Sequence, residues 1–424
     1  MNRSTTSYLA MDPYTYTSLN TDRNEIRLVK LFPGLFDDVI TFDIFHVPLP
    51  IPTSEPTTQR LSIVDLRKTM PTDWDILETL DGRYLFAQDG EDVEPSSWIH
   101  PNSNIDASLY TEEVETMKEH GLKFEALSYT WGSMDSPVAA SIRSSPSSQD
   151  RGPYLELGAN LAVALKYLRH PHAVRLLWID AVCINQGDIE ERNAQVKRMG
   201  DIFSLAQTVT VWLGVESHDS THALMTLQYF GEQVEDIVHG YIGDSPGATE
   251  RRWWIPAYPL PYDEKTWMSI ISLFRRPWFS RVWVLQEVQL AGRRAVVQCG
   301  HDKIPWSAVR KAFTVLSQKA ELDQTLRALL RAYRNGVLRR IDTAFMRLLT
   351  WSREHQCSDP RDKVYGVLSL SPTSVQEMIY PQYEKPTLQV YLDSFLANLH
   401  ATRRLDFLLA RRHWAQVRES SVCW

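Results

Sequence analysis

FEALSYTWG (124–132), then RLLWID (175–180) and TVTVWLG (208–214), are the stretches on which the reading of the fold turns. Each is a short run of apolar and β-branched residues, too brief for a helix of ordinary length and closed by Gly or Asp, which predicts buried strands. The segments between them have a different period. Leu161, Leu165 and Leu168 of LAVALKYLRH share one helical face, with Asn160 placed as its N-cap. In AVCINQGDIEERNAQVKRMGDIFSLAQ (181–207), Asp188, Glu190 and Glu191 supply the negative charge a helix start favours. Val196, Met199, Phe203 and Ala206 then recur at helical spacing. Strands alternating with helices in this way predict an α/β fold, a parallel sheet flanked by helices.

Outward from this core the pattern loosens. SIRSSPSSQDRGP (141–153) reads as a surface loop, because its Ser, Pro and Gly residues hold no regular element. Residues 1–120 read as a strand-bearing leader, with extended segments in EIRLVKLFPG and DDVITFDIFHVPLP before the Pro/Thr/Ser stretch IPTSEPTTQR. Residues 216–263 form an insertion with some helical character. TWMSIISLFRRPWFSRVWVLQEVQLAGR gives two helices broken at Pro277, and RAVVQCGHDKIPW a strand plus turn. Beyond Trp306 the chain reads as mostly helical. The expected division is a leader over 1–120, an α/β domain over 121–292 and a helical region over 293–424.

Composition narrows the function. Of 424 residues 43% are hydrophobic and 23% charged, which excludes wholesale disorder. Fourteen tryptophans stand against 18 glycines, and the chain contains no GxxxxGK[ST], GxGxxG or GxSxG. Phosphate-cradling loops and a nucleophile elbow are therefore not indicated. The net charge of −7 is split: residues 1–120 carry 9 Lys/Arg and 21 Asp/Glu, a balance of −12, and the remainder carries +5. So small and dispersed a positive excess argues against nucleic acid as a partner. Four scattered cysteines without CxxC spacing indicate neither a disulfide framework nor a zinc ribbon, and fit a reducing compartment. His218 and His222 lack the glutamate of HExxH, so no metal is expected. No window approaches the 18 apolar residues of a membrane span, which predicts a soluble, cytoplasmic protein.

Five blocks in order, ALSYTWG (126–132), LWIDAVCINQ (177–186) with ERNAQVKRMGDIFSLA behind it, VTVWLG (209–214), RPWFSRVWVLQEVQLA (276–291) and SDPRDKVYGVLSL (358–370), resemble the fungal heterokaryon incompatibility (HET) domain. The resemblance implies an effector of non-self recognition and programmed cell death, with an incompatibility partner protein that the residues do not name. The chain ends at RESSVCW, which reads as a short or truncated family member. A more distant resemblance is to TIR domains, which have a flavodoxin-like parallel sheet. Ser128-Tyr129, Ile179-Asp180 and Trp283-Glu287 fall where TIR domains carry a strand-end Ser-Tyr, a strand-end Ile-Asp and a Trp followed four positions on by Glu. That resemblance implies NAD glycohydrolase activity with Glu287 as the catalytic residue and NAD as substrate, no further cofactor being required.

The residues make chemical sense of this. In an open α/β sheet, ligands lie beyond the carboxyl ends of the strands. There Tyr129, Trp131, Ser133, Asp180, Asn185 and Gln186 gather, with Trp212 after the third strand; of these Tyr129, Trp131, Ser133, Asp180 and Asn185, together with Trp283, are the substrate-binding candidates. Cleaving an N-glycosidic bond builds positive charge on the ribose, which a fixed carboxylate stabilises. Nicotinamide leaves a pyridinium as a neutral molecule, so no second carboxyl need protonate it. Plainer roles stand beside each of these. Glu287 can pair with Arg281 or Arg293, Asp180 can cap a turn, and the tryptophans can be core. Trp131 alone, before Gly132, is placed for stacking on a base. Cys183 has no His nearby in sequence to activate it and reads as a small buried residue. Asp362 reads as helping a helix start. The rival to the enzyme is a non-catalytic signalling module that acts by homotypic assembly or partner recruitment.

Overall fold

The computed structural model describes residues 12–50, 60–88, 96–111, 122–143, 152–238, 242–333 and 344–404. Most of IPTSEPTTQR, Arg334 in the helical region and the RESSVCW end lie outside them. The strands, in chain order, are β1 (Glu25–Leu31), β2 (Thr41–Pro48), β3 (Trp74–Glu78), β4 (Tyr84–Gln88), β5 (Glu125–Tyr129), β6 (Val138–Ile142) and β7 (Tyr154–Leu157). They continue with β8 (Arg175–Trp178), β9 (Thr208–Trp212), β10 (Val234–Asp236), β11 (Ile242–Asp244), β12 (Ala295–Cys299) and β13 (Asp302–Pro305). Nine of them form one sheet, ordered β13-β12-β9-β5-β8-β1-β2-β6-β7. The fold is α/β: helices flank this sheet and a helical region follows it.

The sheet is mixed rather than parallel throughout. Only β12, β9, β5 and β8 run parallel in an unbroken block, and β1 joins β8 antiparallel. Within that block the first strand in sequence, β5, lies between the second, β8, and the third, β9. The connection leaving β5 goes to β8 on one side and the connection leaving β9 goes to β12 on the other, which opens a switch point between the carboxyl ends of β5 and β9, where ligands bind in doubly wound sheets.

The sheet extends past residues 121–292 on both sides. β1 and β2 come from the leader, and β12 and β13 from beyond Gly292. The leader is anchored by a buried charge: Arg27 of β1, 0% exposed, pairs with Glu191 through Oε1 at 2.5 Å and Oε2 at 2.9 Å and donates to the Cys183 carbonyl. Its neutralisation by Glu191 is what makes a guanidinium tolerable inside the domain. A second, small core of Leu66, Ile76, Tyr84, Phe86 and Tyr110 forms around the β3-β4 hairpin.

Local expectations fare unevenly. Asp188 caps the helix Ile189–Leu205, accepting from the N–H groups of Glu190 and Glu191 at 3.0 Å. SIRSSPSSQDRGP is not all loop, since Ser141 and Ile142 close β6, which pairs with β7; residues 144–151 lie outside the described ones. Pro277 does break the helices, with a short 3-10 turn, Pro277–Ser280, between Glu264–Phe274 and Val284–Ala291. Asn160 does not cap its helix. Gly158 stands at that position, and Asn160 is free to reach elsewhere. Asp362, expected to help a helix start, is the first residue of Asp362–Leu368 and the acidic residue of its first turn, and it is buried. Among the described residues no helix is long and apolar enough to cross a membrane.

Candidate functional site

Strand β5 sets the site. Its alternation sends Ser128 and Tyr129 to opposite faces, and both are 1–2% exposed. Ser128 Oγ accepts from Trp278 Nε1 at 2.7 Å and donates to Glu287 Oε2. Trp278 comes from the 3-10 turn and Glu287 from the helix Val284–Ala291, which packs on Ile189–Leu205 and on β9. The break at Pro277 thus lets two successive pieces of chain converge on one strand residue.

Glu287 is 2% exposed. Arg281 Nη1 lies 3.6 Å from its Oε2, an ion pair too long for a hydrogen bond, and that nitrogen finds no hydrogen-bond partner among the described residues. Of the two arginines expected as partners for Glu287, the structure selects Arg281. Burial pushes the Glu287 carboxyl above its usual range; the Arg281 charge and the Ser128 hydroxyl oppose this, and the charge of Asp180 adds to it.

Asp180 follows β8. Its Oδ2 accepts from Trp131 Nε1 at 2.8 Å and its Oδ1 from the Ala181 N–H at 2.7 Å. Its pKa is raised by burial, and the same Arg281 charge is the largest opposing influence. The phenol of Tyr129 is driven well above its ordinary value by burial and then by Asp180. The result is two carboxyls, Asp180 and Glu287, around one guanidinium, with a tyrosine and a tryptophan at the Asp180 end. Such an arrangement holds at most one unbalanced negative charge and favours keeping a proton.

The other predicted residues separate. Trp131 is 44% exposed and forms the outer rim beside Asp180. Ser133 is also exposed, its Oγ accepting from the Asp135 N–H. Asn185 is taken up by its own loop, its Oδ1 accepting from the Gly187 N–H and its N–H donating to Glu191. Gln186 donates to the Asp180 carbonyl at 3.1 Å. Trp283 turns away from Asp180 and donates to Asp362 Oδ2 at 3.2 Å, joining the Glu287 helix to the C-terminal segment. Cys183 is buried, its thiol pushed up to about 12.

Three residues of this geometry lay outside the sequence-based set of catalytic and substrate-binding candidates: Ser128, which donates to Glu287, Trp278, which donates to Ser128, and Asn160. Asn160 Nδ2 donates to the Thr130 carbonyl and its Oδ1 accepts from Trp212 Nε1 at 3.2 Å, so it bridges the ends of β5 and β9 across the switch point. A polar residue in the first turn of an otherwise apolar helix was the available signal. Gly132 sits at φ +74° in the turn beyond Trp131, a conformation that costs glycine least.

Among the described residues one acidic group, Asp81, Glu235 and Asp236, has ligand atoms within 4.8 Å of one another. Arg310 already pairs with Asp81 at 2.7 Å and with Asp236, and Lys311 with Glu235 at 2.8 Å. Those cations fill the role a metal ion would take. His218 is exposed, and His222 meets Thr266.

Comparison with known proteins finds a match over the segment that carries this geometry. Residues 124–287 match the family described as Heterokaryon incompatibility protein (HET), a span that contains Ser128, Asp180, Arg281 and, as its last residue, Glu287. Over 397 residues the chain is 27% identical to Heterokaryon incompatibility protein 6, OR allele, of Neurospora crassa, covering 80% of this chain and 57% of that protein. The chain therefore spans little more than half the length of the curated relative it matches. No solved structure matches it.

Proposed function

We propose that the chain, whose residues 124–287 match the heterokaryon incompatibility family, is a cytoplasmic effector of fungal non-self recognition that brings about cell death by hydrolysing the nicotinamide–ribose bond of NAD. The observation that carries this reading is the buried Glu287 carboxyl, held by Ser128 at the carboxyl end of β5 and sharing Arg281 with Asp180.

In this reading the C1′–N bond breaks with its electron pair passing to the pyridinium nitrogen, and nicotinamide leaves neutral. The cationic pyridinium of bound NAD favours ionisation of both carboxyls, and the one negative charge they then carry in excess of Arg281 stabilises the developing oxocarbenium ion. A water molecule adds to C1′ and gives its proton to whichever carboxyl is then ionised. Ser128 fixes the Glu287 rotamer, Trp131 offers a ring at the rim for the nicotinamide or adenine, and NAD is substrate rather than cofactor.

A second reading has its own observation. Glu287 is 2% exposed, with Ser128 and Arg281 already upon it, as a structural carboxyl would be. The domain would then act without catalysis, by homotypic assembly or by recruiting a partner protein. Purified protein incubated with NAD separates the two, assayed across a range of protein concentrations so that a site completed by neighbouring copies is also detected. Nicotinamide release that is lost in Glu287→Gln, with the melting temperature retained, is expected. Release that is equal in both proteins, or toxicity on expression that survives the substitution with cellular NAD unchanged, overturns the enzymatic reading.

A further inference from the structure

Away from the sheet, the helix Glu264–Phe274, the loop before it and the segment that follows the helix Trp306–Leu316 line a cavity of about 270 Å³. Its walls are Pro256, Tyr258, Leu260, Trp267 and Leu322, and Trp267 is held in place by an edge-to-face contact with Tyr262 at 5.4 Å. Lys319 also lines it and is 3% exposed. Its Nζ donates to the carbonyls of Ile255 and Tyr258, each at 2.8 Å, and its third N–H has no acceptor among the described residues.

An ammonium buried without a counter-ion is expensive. The carboxylates nearest in sequence do not supply one. Asp323 Oδ1 is occupied by the N–H groups of Thr325 and Leu326, and neither it nor Glu321 comes within ion-pairing distance of Lys319. Burial alone draws the lysine down to about 8, and no neighbouring carboxylate raises it. It remains a cation at neutral pH, in the wall of an aromatic and prolyl chamber.

We propose that this cavity binds a small apolar monocarboxylate, its carboxylate neutralising Lys319 and its hydrocarbon or aromatic body lying against Trp267, Leu260 and Leu322. The chemistry of the walls selects this class. One cation balances one negative charge, the carboxylates of Glu321 and Asp323 at the rim repel a dianion, and the remaining surface offers apolar contact. Two backbone carbonyls position the ammonium without consuming its charge.

The test is calorimetric titration of the full chain at pH 7 with phenylacetate, phenylacetamide and phenyl phosphate. Saturable binding of phenylacetate is expected, with phenylacetamide weaker by about tenfold to a hundredfold, the worth of one charge-assisted hydrogen bond. Phenyl phosphate should bind more weakly than phenylacetate. Lys319→Met should abolish the preference for the acid over the amide. Because that change also frees the loop at residues 255–258, Leu322→Trp serves as a second variant: it fills the chamber, leaves both lysine hydrogen bonds and should remove binding without lowering the melting temperature. No saturable binding of phenylacetate, equal affinity for acid and amide, or binding unaffected by Leu322→Trp each overturns the proposal.

Discussion

Truncating Arg281 to methionine tests the electrostatics on which the strand-end site rests. The guanidinium lies 3.6 Å from Glu287 and is the largest influence opposing the burial-raised pKa of both Glu287 and Asp180. Methionine keeps most of the side-chain volume, so lost packing contributes little. Removing one member of a buried ion pair costs about 3–5 kcal/mol, and the lower end applies here, about 3 kcal/mol, since the Arg281 side chain is 16% exposed. That cost depends on pH, with a determined sign. A carboxyl whose folded pKa lies above its unfolded value adds stability below the unfolded value and loses it as pH rises through the folded one. Deleting Arg281 raises both folded values further. The wild type and Arg281→Met should therefore differ little near pH 4, and the deficit should grow to about 3 kcal/mol by pH 8. Urea denaturation at both pH values measures it. Adding Glu287→Gln to Arg281→Met should recover much of the loss at pH 8, because the carboxylate paired with Arg281 at 3.6 Å is then gone and only Asp180 is left without its cation. A deficit independent of pH, or no recovery in the double variant, would refute the shared-cation account.

Other expectations follow from separate features. Asp362 is buried between Trp283 Nε1 and the Tyr383 hydroxyl at 2.6 Å, and burial lifts its pKa from 3.8 to about 6. Its contribution, about 3 kcal/mol, is present below pH 3.8 and lost as pH rises through 6; the stability difference between wild type and Asp362→Asn should shift by that amount between pH 3 and pH 7, against the wild type, and parallel profiles would contradict it. A Cβ on Gly231 would lie 2.5–2.9 Å from the backbone of Ala308 in the facing helix. Gly231→Ala should cost about 2 kcal/mol by denaturant titration, the strain of overpacking outweighing a gain of about 1 kcal/mol in helix propensity; an unchanged or raised midpoint would show that the helices part freely.

The local chain determined a good deal by itself. FEALSYTWG, RLLWID and TVTVWLG announce β5, β8 and β9 because a buried strand needs only a few consecutive apolar and β-branched residues. The charges after Gly187 announce the helix from Ile189, because capping is a contact between near neighbours in sequence. Asp180 and Trp131 were legible as strand-end residues for the same reason, and the structure joins them by a hydrogen bond. What the chain did not disclose is long-range. Nothing in EIRLVKL tells that β1 will pair with β8 across about 150 residues, or that Arg27 will meet Glu191. The hydrogen bond of Ser128 to Glu287 spans 159 residues and that of Asn160 to Trp212 spans 52, so neither leaves a periodic trace. Trp283 and Glu287, four positions apart on paper, part company in space, one toward Asp362 and the other toward Ser128. Periodicity and capping act over a turn or a strand and can be read from composition along the chain. Sheet order, and the burial that makes one glutamate unlike the rest, exist only once distant segments have closed around it.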